Sequence, residues 1–364
     1  MSLIDSTLRD IFSDRAGNFR SKVLGLYGFL LVLNVAAWAW AIFAFAGNAV
    51  LLGAAVLAYT FGLRHAFDAD HIASIDSATR KLMQRNTRPT TVGFYFAIGH
   101  SLALFIFVSL IAAWGAWGGG SGAFDFLSSS AGLASTFVSV SFLILMAAIN
   151  LTIAWSTYGT FRRVRRGGSY VEDDLDVLLS KRGFFSRIFR PLFKLVDKSW
   201  HMLLIGLLFG LGFDTATETA LLGIAGAEAA KGLSVWTILA FPALFAAGMA
   251  LMDTTDSVLM VRAYGWAYRN PMRKLYYNMT ITIISAVVAL AVAAIEALAL
   301  TAEQFNLQGR LWNQVNAFND HWEMVGIFVV SLFVGSWLLS VLFYRFGRYD
   351  EVDLAMVPLD TPGR

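Results

Sequence analysis

The stretch TVGFYFAIGHSLALFIFVSLIAAWGAW, residues 91–117, decides the fold of this chain. It is longer than the roughly 20 residues that a helix needs to cross a bilayer. His100 is its only ionisable side chain apart from a tyrosine. Only helices and closed barrels satisfy their backbone hydrogen bonds in lipid, and an unbroken apolar run of this length indicates a helix. Residues 91–117 therefore predict a transmembrane helix.

The composition extends this prediction to the whole chain of 364 residues. Apolar residue types make up 57% and charged types 15%, and the mean hydropathy is +0.62. A soluble domain carries roughly a quarter charged residues. The chain has no cysteine, which excludes disulfides, thiolate metal sites and thiol nucleophiles. We therefore expect an all-α integral membrane protein that crosses the lipid bilayer several times.

Segments of similar length and hydropathy recur along the sequence and predict eight transmembrane helices. About 25 of the 28 Lys and Arg residues lie in the N-terminus, in the second, fourth and sixth loops, and in the C-terminus. Because basic loops stay on the cytoplasmic side, both termini are expected to be cytoplasmic. The predicted spans are 24–46, 49–72, 91–117, 132–156, 200–226, 236–261, 275–300 and 323–344.

The predicted organisation leaves one long segment outside the membrane, a basic cytoplasmic loop at 157–199. Within it, GFFSRIFRPLFKLV (183–196) alternates apolar and basic residues, which predicts an interfacial helix held by anionic lipid headgroups. Basic loops are usual beside membranes, so no nucleic-acid partner is expected. The five predicted segments are a cytoplasmic N-terminus (1–23), spans one to four (24–156), the basic loop (157–199), spans five to eight (200–344) and a cytoplasmic tail (345–364).

Ionisable residues inside the predicted spans form four clusters, and each marks a candidate functional site. On one helix, His65 and His71 share a face but lie about 9 Å apart along the axis. Either that helix unwinds or other spans complete a shared site. The structural alternative is a charged helix end with Arg64 paired to Asp68, and a lone His100 that only packs. The candidate metal ligands are His65, Asp68, Asp70 and His71; His100; Asp214 and Glu218; Asp253 and Asp256.

The charges of these clusters do not balance. Six acids face one predicted intramembrane cation, Arg64. At about 2.5–3.5 kcal/mol each, six uncompensated acids would cost on the order of 15–20 kcal/mol. Protons, water-filled cavities or a bound divalent cation are the available compensations. Three histidines beside the acids favour the cation, because imidazole and carboxylate suit a divalent transition metal when no thiolate is present.

A short internal similarity predicts an inverted repeat of three plus three helices. The pattern Phe-Gly-Leu followed by Phe-Asp occurs at 61–68 and again at 209–214. The predicted topology makes the two helices antiparallel. Spans two to four would then repeat as spans five to seven, with the site at their midplane junction.

Together the four clusters resemble the motifs of the nickel/cobalt transporter family of secondary metal permeases. The second span has the form His-X4-Asp-His, with His65, Asp70 and His71 inside RHAFDADHI. The other motifs follow in order as Gly-His-Ser (99–101), LGFDTATE (211–218) and GMALMDTTD (248–256). The resemblance covers the helical core but not the loop at 157–199 or the two tails.

This resemblance implies high-affinity uptake of Ni²⁺ and/or Co²⁺ across the cytoplasmic membrane. His65, Asp70 and His71 would be the binding and selectivity residues, and the metal ion would be the transported substrate. No cofactor, enzymatic activity or obligatory protein partner is implied. An exporter, or a carrier of Mn²⁺ or Zn²⁺ with the same architecture, is the alternative. A membrane metalloenzyme is disfavoured, since the chain has five histidines and no HExxH motif.

Overall fold

The computed structural model of this chain describes residues 11–14, 18–83, 87–116, 122–165, 195–211, 216–267, 271–321, 324–333 and 335. Within these ranges all regular structure is helical, and a short 3₁₀ turn at Ser199–His201 precedes α6. The helices are α1 (Phe19–Ala44), α2 (Ala49–His65), α3 (Ala69–Met83), α4 (Val92–Ala116), α5 (Gly122–Arg165), α6 (Met202–Phe209), α7 (Ala216–Ala230), α8 (Val235–Ile238), α9 (Ala240–Ala267), α10 (Pro271–Gln304), α11 (Arg310–Asp320) and α12 (Met324–Phe333).

Four of the described helical stretches are long and apolar enough to cross a bilayer, and α2 with α3 makes a fifth if the bent pair is one span. Shorter apolar stretches coincide with the predicted fourth, fifth and eighth spans at Thr136–Thr152, Ser199–Phe209 and Met324–Phe333. The all-helical prediction is confirmed. The four long stretches are Phe19–Ala44, Val92–Ala113, Val235–Ala263 and Thr282–Gln304.

The outer faces of these helices are apolar. Along α1, Leu31, Val35 and Phe43 are 65%, 60% and 83% exposed. A soluble protein seldom leaves so large a continuous apolar surface uncovered. This exposure suits lipid as the surrounding solvent.

The second predicted span, 49–72, is broken, as the alternative of an unwound helix requires. Helix α2 ends at His65, α3 begins at Ala69, and their axes differ by 51°. At the break, Phe67 N donates to Arg64 O (3.0 Å) and Asp68 N donates to His65 O (2.9 Å). These three-residue steps are the tighter 3₁₀ pattern. The regular α pattern resumes where Ile72 N donates to Asp68 O at 3.2 Å.

The prediction of a loop between the second and third spans does not hold for residues 73–83. Helix α3 continues through them to Met83. This helix is buried despite its charges, and Arg80 and Lys81 are 2% and 1% exposed. Arg80 Nη2 lies 3.2 Å from Asp76 Oδ1 one turn earlier, so the arginine enters the bundle with a carboxylate beside it. Arg64, predicted as the intramembrane cation, has an exposed side chain.

The fifth predicted span is interrupted like the second. Helix α6 ends at Phe209 and α7 begins at Ala216, on either side of residues that the description does not include. Asp214 lies among them. The predicted interfacial helix at 183–196 falls almost wholly outside the described residues, and the C-terminal tail at 345–364 falls entirely outside them.

Glycines let the helices that carry the predicted motifs touch backbone to backbone. A Cβ at Gly206 of α6 would overlap the carbonyl of Phe96 in α4, and a Cβ at Gly99 would overlap the carbonyl of Leu203 in α6. Gly62 of α2 meets the carbonyl of Phe245 in α9 in the same way. Small residues permit this close approach in membranes. These contacts hold α2 close to α9 and α4 close to α6.

Candidate metal centre

Three histidines from three helices lie side by side inside the bundle. His65 ends α2, His71 lies in the first turn of α3, and His100 lies in the middle of α4. The ring centroids are 4.6 Å apart for His65–His71, 4.8 Å for His65–His100 and 4.9 Å for His71–His100. One ligating nitrogen from each ring lies within 4.8 Å of the other two. None of the three residues is more than 3% exposed.

The break between α2 and α3 explains why His65 and His71 meet. A straight helix would hold them about 9 Å apart along its axis. The bent connection turns α3 back so that the two rings pack edge to face, at an interplanar angle of 74°. The helix is therefore interrupted at this point, and α4 adds a third imidazole.

Two of the imidazoles are each held by a carboxylate through Nδ1. His65 Nδ1 lies 2.9 Å from Asp68 Oδ2, and His71 Nδ1 lies 3.3 Å from Asp253 Oδ2 on α9. An ionised carboxylate only accepts hydrogen bonds, so Nδ1 donates in each pair whose carboxylate is ionised. In a neutral imidazole this leaves Nε2 with the lone pair that a metal needs. Carboxylate–histidine pairs of this kind orient metal ligands in proteins.

A third carboxylate meets the Nε2 side of the cluster. Glu218 Oε1 lies 2.8 Å from His100 Nε2 and 3.9 Å from His65 Nε2, and the two Nε2 atoms are 3.1 Å apart. Glu218 is fully buried in the first turn of α7, where the helix dipole favours a negative charge. A cation between these atoms would replace the proton that His100 Nε2 shares with Glu218.

Some buried atoms of the cluster have unused hydrogen-bonding capacity. His71 Nε2 and Asp253 Oδ1 have no hydrogen-bond partner among the described residues. Buried polar atoms nearly always have one, so each exception needs an explanation such as an ion. Imidazole nitrogens with one carboxylate oxygen are a donor set that divalent transition metals accept. The chemistry of the cluster therefore fits such an ion.

The other predicted ligands lie beside the three imidazoles or outside the description. Asp70 is half-buried next to His71 in the first turn of α3, and Asp256 lies one turn after Asp253 on α9. The charges of Asp256, Asp70 and Asp68 act on the Asp253 carboxylate, so the four acids form one electrostatic group. Asp214 lies outside the described residues.

Three residues that the sequence reasoning did not single out also contact the imidazoles. Thr217 Oγ1 lies 3.3 Å from His65 Nδ1. The ring of Phe96 packs edge-on against His71 at 4.8 Å, and Phe245 packs against His65 at 5.3 Å. Thr217 lies inside LGFDTATE, and Phe96 precedes His100 by one helical turn. Membership of a motif and a spacing of one turn from a candidate ligand were the sequence signals that could have pointed to Thr217 and Phe96. The two phenylalanines exclude water and so strengthen the electrostatic interactions of the cluster.

A second buried polar group joins α3 to α5 and α10. Asp76 accepts from Arg80 and from Ser285 Oγ, and Asn150 Nδ2 lies 3.4 Å from Ser285 Oγ. Asp76, Asn150 and Ser285 are at most 1% exposed. Sequence reasoning missed this group because residues 73–90 were predicted to be a loop.

The fold and this centre define a class of protein. Helices with apolar outer faces surround a buried group of three imidazoles and three carboxylates. Ionisable residues at this depth mark pathways for ions or substrates. The class is that of membrane proteins that handle a metal cation.

Comparison with known proteins identifies the family within that class. The model of the high-affinity nickel-transport protein family matches residues 51–343. A high-affinity nickel transport protein of Cupriavidus necator is 50% identical over 347 residues, which cover 95% of this chain and 98% of that protein. The chain belongs to this family of nickel transporters, and the family prediction is confirmed.

Relatives that are more distant carry related names. The nickel transporter NixA of Staphylococcus aureus is 41% identical over 92% of this chain and 97% of its own length. The cobalt transport protein NhlF of Rhodococcus rhodochrous is 39% identical over 89% of this chain and 91% of its own length. No solved structure gives a significant match. The relatives are named as transporters, so the chain is a multi-pass membrane transporter and not an enzyme.

Proposed function

We propose that this protein takes up Ni²⁺ and/or Co²⁺ across the cytoplasmic membrane through the buried histidine cluster. The observation that carries the proposal is the convergence of three buried imidazoles, with one ligating nitrogen from each within 4.8 Å of the others. Three imidazoles and few carboxylates select a borderline transition metal over Mg²⁺ or Ca²⁺. The relatives named for nickel and for cobalt support these two ions.

In this proposal the ligands are Nε2 of the three histidines and Oε1 of Glu218. Asp68 and Asp253 hold His65 and His71 through Nδ1, and Asp70 and Asp256 add negative charge nearby. Three of the four ligands are neutral nitrogens. The ion therefore exchanges its water ligands for donors that it prefers. The family resemblance assigns Asp70 to the site with His65 and His71.

The arrangement in the membrane is part of the proposal. The chain has eight spans with both termini in the cytoplasm, and spans two to four repeat as spans five to seven with inverted topology. Two observations support the repeat. Among the described residues, a helix ends inside the second span at His65 and another inside the fifth span at Phe209. Their glycines Gly62 and Gly210 each pack against another helix, α9 and α4 respectively. Interrupted helices at a repeat junction are typical of secondary transporters.

The membrane potential is sufficient to drive uptake. A divalent cation that moves inward gains about 4.6 kcal/mol per 100 mV, twice the value for one charge. That free energy supports a gradient of roughly a thousandfold. Proton coupling is not required, and uptake into vesicles with a clamped voltage and a varied pH gradient distinguishes the two driving forces.

The test compares two histidine variants in cells that express the protein at matched abundance. His71→Ala removes a ligand, whereas His321→Ala removes an exposed histidine after α11. We expect radiolabelled nickel uptake at limiting metal to fall to background in the first variant and to stay unchanged in the second. Normal uptake by His71→Ala would reject the assigned site. The total metal content of the cells tests direction and substrate, because expression that lowers nickel would show export and a rise in manganese or zinc alone would show another cargo.

A further inference from the structure

Residues 11–14, here called the N-terminal strap, tie the chain's N-terminal region to two distant helices. The Asp14 carboxylate accepts from Ser199 N at 2.9 Å and also from Ser199 Oγ, at the start of the turn that leads into α6. The Asp14 carbonyl accepts from Arg88 N at 3.1 Å, just before α4. Ser199 is 1% exposed. Asp14 therefore joins the ends of α4 and α6 from outside both helices.

The other end of the strap is fixed to α1. Lys22 Nζ donates to Ser13 O at 2.8 Å and to Ser13 Oγ at 3.0 Å. Lys22 is only 2% exposed. The side chain of Ile11 occupies the space beside Gly25, also on α1. The strap thus connects α1 to α4 and α6 at one end of the bundle.

Phe12 of the strap fills the wedge between α1 and α4. Its ring centroid lies 5.4 Å from that of Phe29 on α1 and 5.3 Å from that of Phe94 on α4. Further along these helices, a cavity of about 250 Å³ is lined by residues of α1, α4 and α9, with Ile98 among them. Helix α1 is therefore held against α4 at the strap, whereas a cavity borders both helices deeper in the bundle.

The wedge that Phe12 fills includes Phe94, which lies on the same helix as His100 of the metal centre. Phe94 precedes His100 by six residues on α4, about 9 Å along the axis. Gly93 packs against the backbone of Asp253 on α9, and Tyr27 of α1 donates to Thr255 Oγ1 at 2.9 Å. An opening between α1 and α4 at this end would expose the acidic turn of α9. The histidines are almost inaccessible in the present arrangement, so an ion there can leave only after some end of the bundle opens.

We propose that the N-terminal strap is the lock of the cytoplasmic gate, and that Asp14 releases Ser199 in each transport cycle. This inference rests on the proposed function for its direction of transport. Hydrogen bonds hold Asp14 to Ser199 and Arg88, and water can replace these bonds when this end of the bundle opens. The backbone contacts through glycines between α4 and α6 join those two helices tightly. The strap connects α1 to them, beside the direct contact between the rings of Phe29 on α1 and Phe94 on α4.

The absence of cysteine in the chain allows a direct test. Asp14→Cys with Ser199→Cys introduces the only two thiols, and a short bis-methanethiosulfonate reagent links them reversibly without a metal oxidant that would compete for the centre. We expect the linked protein to take up nickel at least about tenfold more slowly than the same protein after reduction, because gate opening limits turnover. Nickel binding to the purified linked protein should persist. Equal uptake before and after reduction would overturn the proposal.

A matched control uses Ser13→Cys with Lys22→Cys, which links the strap to its own helix. We expect uptake to be retained, because the strap then still moves with α1. A similar loss in this control would contradict a lock between α1 and α6. If neither the natural sequence nor any reduced variant moves nickel or cobalt, that result would count against the proposed function.

A second measurement does not depend on transport. In Ser199→Cys the thiol should react slowly with a membrane-impermeant maleimide, because Ser199 is buried under Asp14. Adding Asp14→Ala should raise the labelling rate at least about tenfold, since local opening controls access. Unchanged labelling would show that Asp14 does not cover this position, and would reject the lock whatever the protein transports.

Discussion

Gly206→Ala tests whether the backbone contact between α6 and α4 positions the metal centre. The added Cβ would overlap the carbonyl of Phe96 and approach His100 N to 3.0 Å. To restore ordinary van der Waals separations, α4 must retreat by about 1.4 Å. A metal–imidazole bond of about 2.0–2.1 Å tolerates a deviation of only about 0.2 Å. His100 would therefore be lost as a ligand, or kept only at the cost of strain.

The expected magnitude follows from two terms. Overpacking a close contact costs about 1–3 kcal/mol. A misplaced ligand costs about tenfold to a hundredfold in metal affinity, which is roughly 1.4–2.8 kcal/mol. We expect nickel uptake at limiting metal to fall about tenfold or more, with a partial recovery at saturating metal. The overall fold should survive, because these costs are small compared with the burial of the surrounding helices.

The control is Gly223→Ala on α7, where an added Cβ meets nothing within 4 Å. Alanine stabilises a helix by about 0.5–1 kcal/mol relative to glycine, so this variant should be neutral or slightly more stable. Uptake is measured against metal concentration in cells with matched protein abundance. Gly206→Ala with the affinity and rate of the natural sequence would refute the reasoning, because it would show that α4 does not need its present distance from α6.

Two further predictions concern buried carboxylates. Asp253→Ala frees the His71 ring and should lower nickel affinity about tenfold or more. Asp253→Asn should lose less affinity, because its amide oxygen still accepts from Nδ1. Equilibrium nickel binding to the purified protein measures both variants, and equal losses would favour Asp253 as a direct ligand. Asp76→Ala removes the carboxylate beside the buried Arg80 and should destabilise the protein by about 3–5 kcal/mol, while Arg80→Met in the same chain restores most of that loss. Thermal unfolding in detergent measures the second pair, and an unchanged transition in Asp76→Ala would contradict it.

The sequence was sufficient for the helical fold class and for singling out the three histidines, because both depend on composition and local pattern. Apolar runs such as 91–117 predict helices whatever their neighbours are. His65, His71 and His100 stand out because each is an ionisable residue at membrane depth. The family motifs added the substrate class. None of these inferences needed knowledge of helix packing.

The sequence left the conformation of the second span open between an unwound helix and a site completed by other spans. The residues at the break, Ala66 and Phe67, are neither glycine nor proline, so their identity does not mark a break. The interruption depends instead on the bond from His65 to Asp68 and on Gly326 of α12, which packs against the carbonyl of Phe67. The partner helix follows almost 260 positions later in the sequence. Tertiary contacts therefore decided a local conformation.

Buried charges were the other source of error. Arg80 and Asp76 were assigned to a loop, since charged residues are usually solvated, but each is compensated inside the bundle by the other. Glu296 was passed over within an apolar run, although it is buried and accepts from Ser139 Oγ at 2.8 Å. The charge balance of the membrane interior therefore includes more groups than the six predicted acids and Arg64. Pairing between distant helices cannot be derived from the spacing of one segment.

The position of the metal in nickel-loaded crystals tests the central claim most directly. Anomalous scattering at the nickel edge locates the ion without assumptions about its ligands. We expect one peak about 2 Å from Nε2 of His65, His71 and His100, with Glu218 as the nearest carboxylate. A peak held only by acids of α3 and α9, with the three imidazoles beyond bonding distance, would contradict the account.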